Sequence, residues 1–300
     1  MAEYFIGMHC EFDDNKYLRD FTKDIAGIEF CNFGEQEEIE KLVRRAHEDK
    51  YKIGVHFPLN KASYKYRDPL VIALDENERI EAFKGIEREL QFGREIGIEY
   101  LLMHFPKPMP LDESLNWEMC PFASPAEREW QRDYPYDIFK DNCYKAFEKL
   151  SELSIKYGIQ IVLELDFVNK YLYEGDLFKT LLEKYSNIKL CLDSARIHVQ
   201  SKIDTSFDYK IFIKDMAKYT YSLHLSNVKV TDKLECRHYP PLRHLKVEEG
   251  WGDTVEFLRI ISEEKKDLKI LFEHDSKKIS YEELINCYQW VKSYFEGDRG

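Results

Sequence analysis

The 300-residue chain contains no apolar run approaching the roughly 18 residues that a membrane-spanning helix needs, so no membrane span is expected. It contains no CxxC pair. Its seven cysteines (Cys10, Cys31, Cys120, Cys143, Cys191, Cys236 and Cys287) are scattered and odd in number, which argues against a disulfide framework and for reduced thiols in a cytoplasmic protein. Buried as thiols, they read as small core hydrophobes. No GxGxxG follows an early apolar run, which removes the main support for an open doubly wound dinucleotide-binding sheet. Positive charge is in deficit: 44 Lys and Arg stand against 56 Asp and Glu, a formal charge of −12. Such a surface repels phosphate, so nucleic acid is not an expected partner. The opening "MAEYFIGMHCEF" has no basic segment followed by an apolar one, and no secretory signal is expected. No stretch reads as a linker, so a single domain over residues 1–300 is expected.

Eight short apolar runs remain. They are 4–9, 27–31, 52–58, 100–106, 159–166, 189–193, 221–227 and 269–275. Several are continuously apolar, the pattern of strands buried on both faces. Amphipathic helical segments lie between them. Phe139, Cys143, Phe147, Leu150 and Tyr157 recur at helical spacing, as do Leu284, Tyr288, Val291 and Phe295. Ser280 followed by Glu283 forms a capping box, and "IGI" (96–98) and "YGI" (157–159) put glycine where a helix must stop. Eight strand–helix repeats predict an α/β fold, the (β/α)8 barrel. Residues 59–76, 107–136 and 228–252 are long for its connections. All three leave carboxyl ends of strands and are expected to form functional loops on that face.

The stretch "IKLCLDSARIH" shows where the chemistry is expected. A buried strand that ends on Asp193 would carry a costly charge into a core, but at a barrel mouth the carboxylate is useful. Asp193 has counterparts: Glu164 on the fifth run, His224 on the seventh and Glu273 on the eighth. Neighbouring strands lie about 4.8 Å apart, so such side chains can converge on one ion. Three carboxylates and an imidazole suit a divalent cation, with manganese favoured and zinc, cobalt or magnesium also compatible. His56 and His104 stand in repeated "HFP" motifs on earlier strands, as candidates for binding a substrate or a second metal. His9 is a further candidate, or else a core residue.

At these residues the sequence resembles the xylose isomerase-like barrel superfamily, in its sugar phosphate isomerase/epimerase branch. Ketose 3-epimerases and endonuclease-IV-type enzymes are relatives. "IVLELD", "LCLDSARIH", "LHLSN" and "ILFEHD" look like that family's fifth to eighth strand ends. The resemblance implies that Glu164, Asp193, His224 and Glu273 are metal ligands and that Glu164 and Glu273 double as the acid/base pair. It also matches His56 and His104 to extra zinc-binding histidines of the endonuclease branch. Two departures stand out. Arg196 occupies a position where the family commonly has His, and Leu242-Arg243-His244 replaces an Asp-x-His. A single-metal site is therefore favoured over a trinuclear one.

The implied chemistry is isomerisation or epimerisation of a small sugar or sugar derivative. A cation polarises the carbonyl, and a carboxylate abstracts the neighbouring proton through an enediolate. Arg196, Arg243 and Arg237 are candidates for an anionic substrate group, with His56, His104 and His244 as further substrate contacts. Trp117, Phe122, Trp130 and Trp251 are candidates to cover a sugar ring. The alternatives are an abasic-site nuclease, a metal-dependent lyase or dehydratase, and a metabolite-binding barrel without turnover. Many barrels of this family are dimers or tetramers, which implies a homo-oligomer, although the sequence carries no oligomerisation motif.

Overall fold

The structure is a computed structural model that describes residues 1–120 and 122–296; residue 121 of the expected loop 107–136 and residues 297–300 lie outside the described residues. Eight parallel strands form a closed barrel. They are β1 (Glu3–His9), β2 (Ile25–Cys31), β3 (Lys52–His56), β4 (Tyr100–Phe105), β5 (Gln160–Leu165), β6 (Ile188–Asp193), β7 (Thr220–Leu225) and β8 (Lys269–Phe272). Their hydrogen-bonding order follows the chain and returns β8 to β1, the (β/α)8 arrangement the sequence predicts. All eight apolar runs correspond to a strand. The third, fourth, fifth, seventh and eighth strands end one to three residues before their runs do, the third and fourth because Pro58 and Pro106 lack a ladder N–H.

The chain divides into two compact units, one built from residues 1–7, 13–27 and 191–300 and the other from 8–12 and 28–190. In the second unit, β3, β4 and β5 pair in parallel, with Gly54 opposite Tyr100 and His104 opposite Glu164. Every residue of β4 is buried. Helix α3 (Glu76–Ile96) follows β3 and α4 (Tyr136–Tyr157) follows β4. Gly97 and Gly158 end them at φ 78° and 68°, a left-handed cap that glycine adopts without a Cβ penalty. Phe139, Cys143, Phe147 and Leu150 form the buried stripe of α4.

In the first unit, β8 pairs with both β1 and β7, and Leu271 stands opposite His224. Helix α7 (Ser194–Ile203) starts directly from β6, with Asp193 as its N-cap. Helix α10 (Tyr281–Phe295) carries the expected capping box between Ser280 and Glu283, and buries Leu284, Tyr288, Val291 and Phe295.

The long connections hold structure of their own. In 107–136, Met109–Leu111 pairs with Arg128–Trp130, and in 228–252 a hairpin joins Asn227–Val230 to Leu234–Tyr239. Among the described residues, no helix is long and apolar enough to cross a membrane.

Candidate functional site

In the 28–190 unit, three of the candidate residues meet. His56 is the last residue of β3, His104 lies near the end of β4, and Glu164 is its register partner on β5. Strand pairing therefore sets their spacing. His56 Nε2 lies 3.1 Å from Glu164 Oε2, and His104 Nε2 lies 3.6 Å from the same oxygen. The two rings face each other edge to face with centroids 4.7 Å apart. All three side chains are buried.

The far side of each ring is tied back. His56 Nδ1 lies 2.9 Å from the Phe57 carbonyl oxygen, and His104 Nδ1 lies 2.7 Å from Asp68 Oδ1. Both partners accept, so each Nδ1 carries the proton. Nε2 of each ring faces Glu164, and in the neutral form of the ring it offers a lone pair there. Two imidazole lone pairs and a carboxylate oxygen are all acceptors. Their convergence at 3.1 and 3.6 Å is reconciled by a cation or a proton between them. Histidines bound to metals show the same outer hydrogen bonds. The three residues fit a divalent ion, and they form one of the buried groups whose ligand atoms lie close enough to hold one.

Behind His104 lies a buried charge network that the sequence reading did not identify. Lys107 is fully buried, and its Nζ lies 2.8 Å from Asp166, 3.1 Å from Asp68 and 3.5 Å from Glu127. Arg67 reaches Asp68 at 2.9 Å and Glu127 at 3.5 Å. Burial alone would raise the Asp68 carboxyl, but His104, Lys107 and Arg67 outweigh it and hold the group well below the usual carboxylate range. Burial alone would lower the Lys107 ammonium, yet Asp166, Asp68 and Glu127 hold it above its ordinary value. The signals available in the sequence were Lys107 between two prolines and Asp166 two residues after Glu164.

In the other unit, His224 is fully buried and its Nδ1 lies 3.3 Å from Glu273 Oε2. Glu273 follows β8 and its side chain is one-third exposed. Asp193 has a structural role as well: its Oδ1 accepts from Ala195 N at 2.7 Å and from Arg196 N at 2.9 Å. Ser194 Oγ donates to the Ser226 carbonyl at 2.6 Å, which ties the start of α7 to the end of β7.

The remaining candidates are dispersed. Arg196 is half-buried in the first turn of α7. Arg243 and His244 are exposed on their loop. Arg237 lies on the second strand of the hairpin and its carbonyl accepts from Lys278 Nζ at 2.6 Å. His9 is exposed at the end of β1, beside Cys10 Sγ at 2.9 Å, and is not a core residue. Trp117 and Phe122 pack on Phe167, Arg128 and Arg132 lie over Trp130, and Trp251 packs on Tyr239. Each of these aromatics thus has a packing role.

Residues 24–292 match the family described as xylose isomerase-like TIM barrel. No functionally curated protein matches the sequence. Among solved structures, a D-tagatose 3-epimerase-like protein is similar with a TM-score of 0.62 and 17% identity, covering 96% of each chain. A Thermus thermophilus protein, from crystals soaked with zinc chloride, gives 0.61 and 13% over 97% of each chain. An AP endonuclease, family 2, from Brucella melitensis gives 0.56 and 14%, covering 99% of this chain and 100% of that one. At these identities the likeness is one of fold.

Proposed function

The chain belongs to the xylose isomerase-like TIM barrel family, and on that basis we propose that it is a divalent-metal-dependent isomerase or epimerase of a small sugar or sugar derivative, working as one barrel domain. The observation that carries the reading is the convergence of His56 and His104 on Glu164 Oε2, with both Nδ1 atoms held from behind. Glu164, Asp193, His224 and Glu273 lie at or beside the carboxyl ends of four consecutive barrel strands and are the proposed ligand set, and His56 and His104 offer nitrogen donors beside Glu164. Oxygen-rich ligands favour manganese, and the added imidazoles suit zinc or cobalt. The epimerase-like neighbour supports the substrate class, and the zinc-soaked one supports a metal.

When bound, such an ion polarises the substrate carbonyl and makes the adjoining C–H acidic. Glu164, buried at the end of its strand, removes that proton. Glu273 returns a proton from the opposite face, or Glu164 returns it to the neighbouring carbon, giving epimerisation or isomerisation respectively. Arg196, from the first turn of α7, is the proposed contact for an anionic substituent.

Solvent exchange tests this. Metal-loaded protein should introduce deuterium beside the carbonyl of a ketose or sugar acid in deuterated water. Glu164→Gln at equal metal content should slow exchange by roughly 10²–10⁴-fold. No exchange across ketoses, sugar phosphates and sugar acids would refute the reading. The group His56, His104 and Glu164 also favours a second reading, an abasic-site nuclease, for which the family 2 endonuclease neighbour gives support. The charge of −12 weighs against it, and cleavage of an abasic duplex at low salt would establish it.

A further inference from the structure

His104 is directed by Asp68, and Asp68 needs support of its own. It lies in the connection between β3 and α3, outside any helix or strand, so its side-chain direction is set by its partners. Asp68 Oδ2 is taken by Lys107 Nζ at 3.1 Å and by an Arg67 guanidinium nitrogen at 2.9 Å. That leaves Oδ1 facing His104 Nδ1 at 2.7 Å.

Lys107 is placed unusually for a lysine. Desolvation strongly disfavours a buried ammonium unless oppositely charged groups surround it. Here Asp68, Asp166 and Glu127 do so at 3.1, 2.8 and 3.5 Å. Donor spacing alone marks Asp68, His104 and Asp166 as a group able to hold a metal ion. The ammonium lies against two of those three residues, so the cation of this group is supplied by the chain itself.

We propose that Asp68 and Lys107 are positioning residues: the Lys107 ammonium, seated where the donors would admit a metal ion, holds Asp68 so that His104 keeps a proton on Nδ1 and turns Nε2 toward Glu164. The proposal rests on the reading that His104 and Glu164 serve a divalent ion. It adds that the second acidic group takes no ion of its own. The carboxylate–histidine unit fixes which nitrogen is available and where it points, a second layer whose removal typically costs roughly 10–100-fold in metal affinity.

The test uses the full-length chain, labelled with nitrogen-15 in histidine, first free of metal and then titrated with Mn²⁺. Metal-free wild-type protein should show His104 Nδ1 carrying a proton. A bare Nδ1 overturns the proposal with no variant needed. Asp68→Asn should weaken Mn²⁺ binding roughly 10–100-fold. Lys107→Met removes the charge at similar volume, should shift the His104 nitrogen signals, and should admit one additional Mn²⁺ per chain. Unchanged signals, stoichiometry and affinity in Lys107→Met would overturn the proposal. If wild-type protein binds no Mn²⁺, Zn²⁺ or Co²⁺, the metal reading fails, while the nitrogen signals of metal-free wild-type and variant proteins still decide the positioning role. If Lys107→Met does not fold, the wild-type measurement and Asp68→Asn decide it.

Discussion

Glu89 on α3 makes a sharp test of how burial governs this protein's stability. Its side chain is almost fully buried and accepts from Leu59 N at 3.3 Å, so it anchors the connection that carries Asp68. Burial raises its carboxyl from 4.5 to about 7, against the lowering effect of Tyr64, Leu59 N and Arg88. Below about pH 4.5 the group is protonated in folded and unfolded chains alike and has no effect. Between about 4.5 and 7 the unfolded chain has released the proton while the folded chain retains it, so stability falls as pH rises. Above about 7 the penalty is complete, on the order of 3 kcal/mol at about 1.4 kcal/mol per tenfold change in proton affinity.

Glu89→Gln keeps an acceptor for Leu59 N and removes the charge. Relative to wild type it should gain about 2.5 kcal/mol more at pH 8 than at pH 5, in urea unfolding monitored by circular dichroism. An amide nitrogen left without an acceptor would subtract about 1–3 kcal/mol at both pH values. The difference between the two pH values is therefore the diagnostic. A stability increment independent of pH would refute the argument.

Two further outcomes follow from close packing and from the N-cap. Gly54→Ala should destabilise by about 2–5 kcal/mol in the same unfolding assay, because a Cβ there would collide with the Tyr100 ring and push its hydroxyl off Glu29, which it meets at 2.7 Å; an equally stable variant would contradict that packing. Asp193→Ala should lose bound metal by elemental analysis and also about 1 kcal/mol of stability, since it removes the N-cap of α7, whereas Asp193→Asn should keep the cap and lose chiefly the metal. Full metal occupancy in Asp193→Ala would remove Asp193 from the ligand set.

Local sequence patterns were enough to specify the barrel. Eight apolar runs of strand length, alternating with helical stripes such as Phe139–Leu150 and Leu284–Phe295, admit few other arrangements, because side-chain period and burial are local properties. Helix ends were legible for the same reason: Gly97, Gly158 and the Ser280–Glu283 box act within one turn. So was the residue type offered at each strand end, from His56 and His104 to Glu164, Asp193, His224 and Glu273.

Which of these touch, and what stands behind them, depended on the folded chain. Residue type does not say that His104 and Glu164 share a register or that Asp193 also caps α7. Nor does it separate Arg243 and His244, exposed on their loop, from Lys107, a cation enclosed by carboxylates. In a sequence, a lysine among prolines reads as a solvated loop residue. Its role depends on how much water the fold removes around it and on carboxylates distant in the chain, Asp68 well before it and Asp166 well after it. Desolvation and pairing are properties of the folded surroundings, and they set both the charge of a buried group and the direction in which it acts.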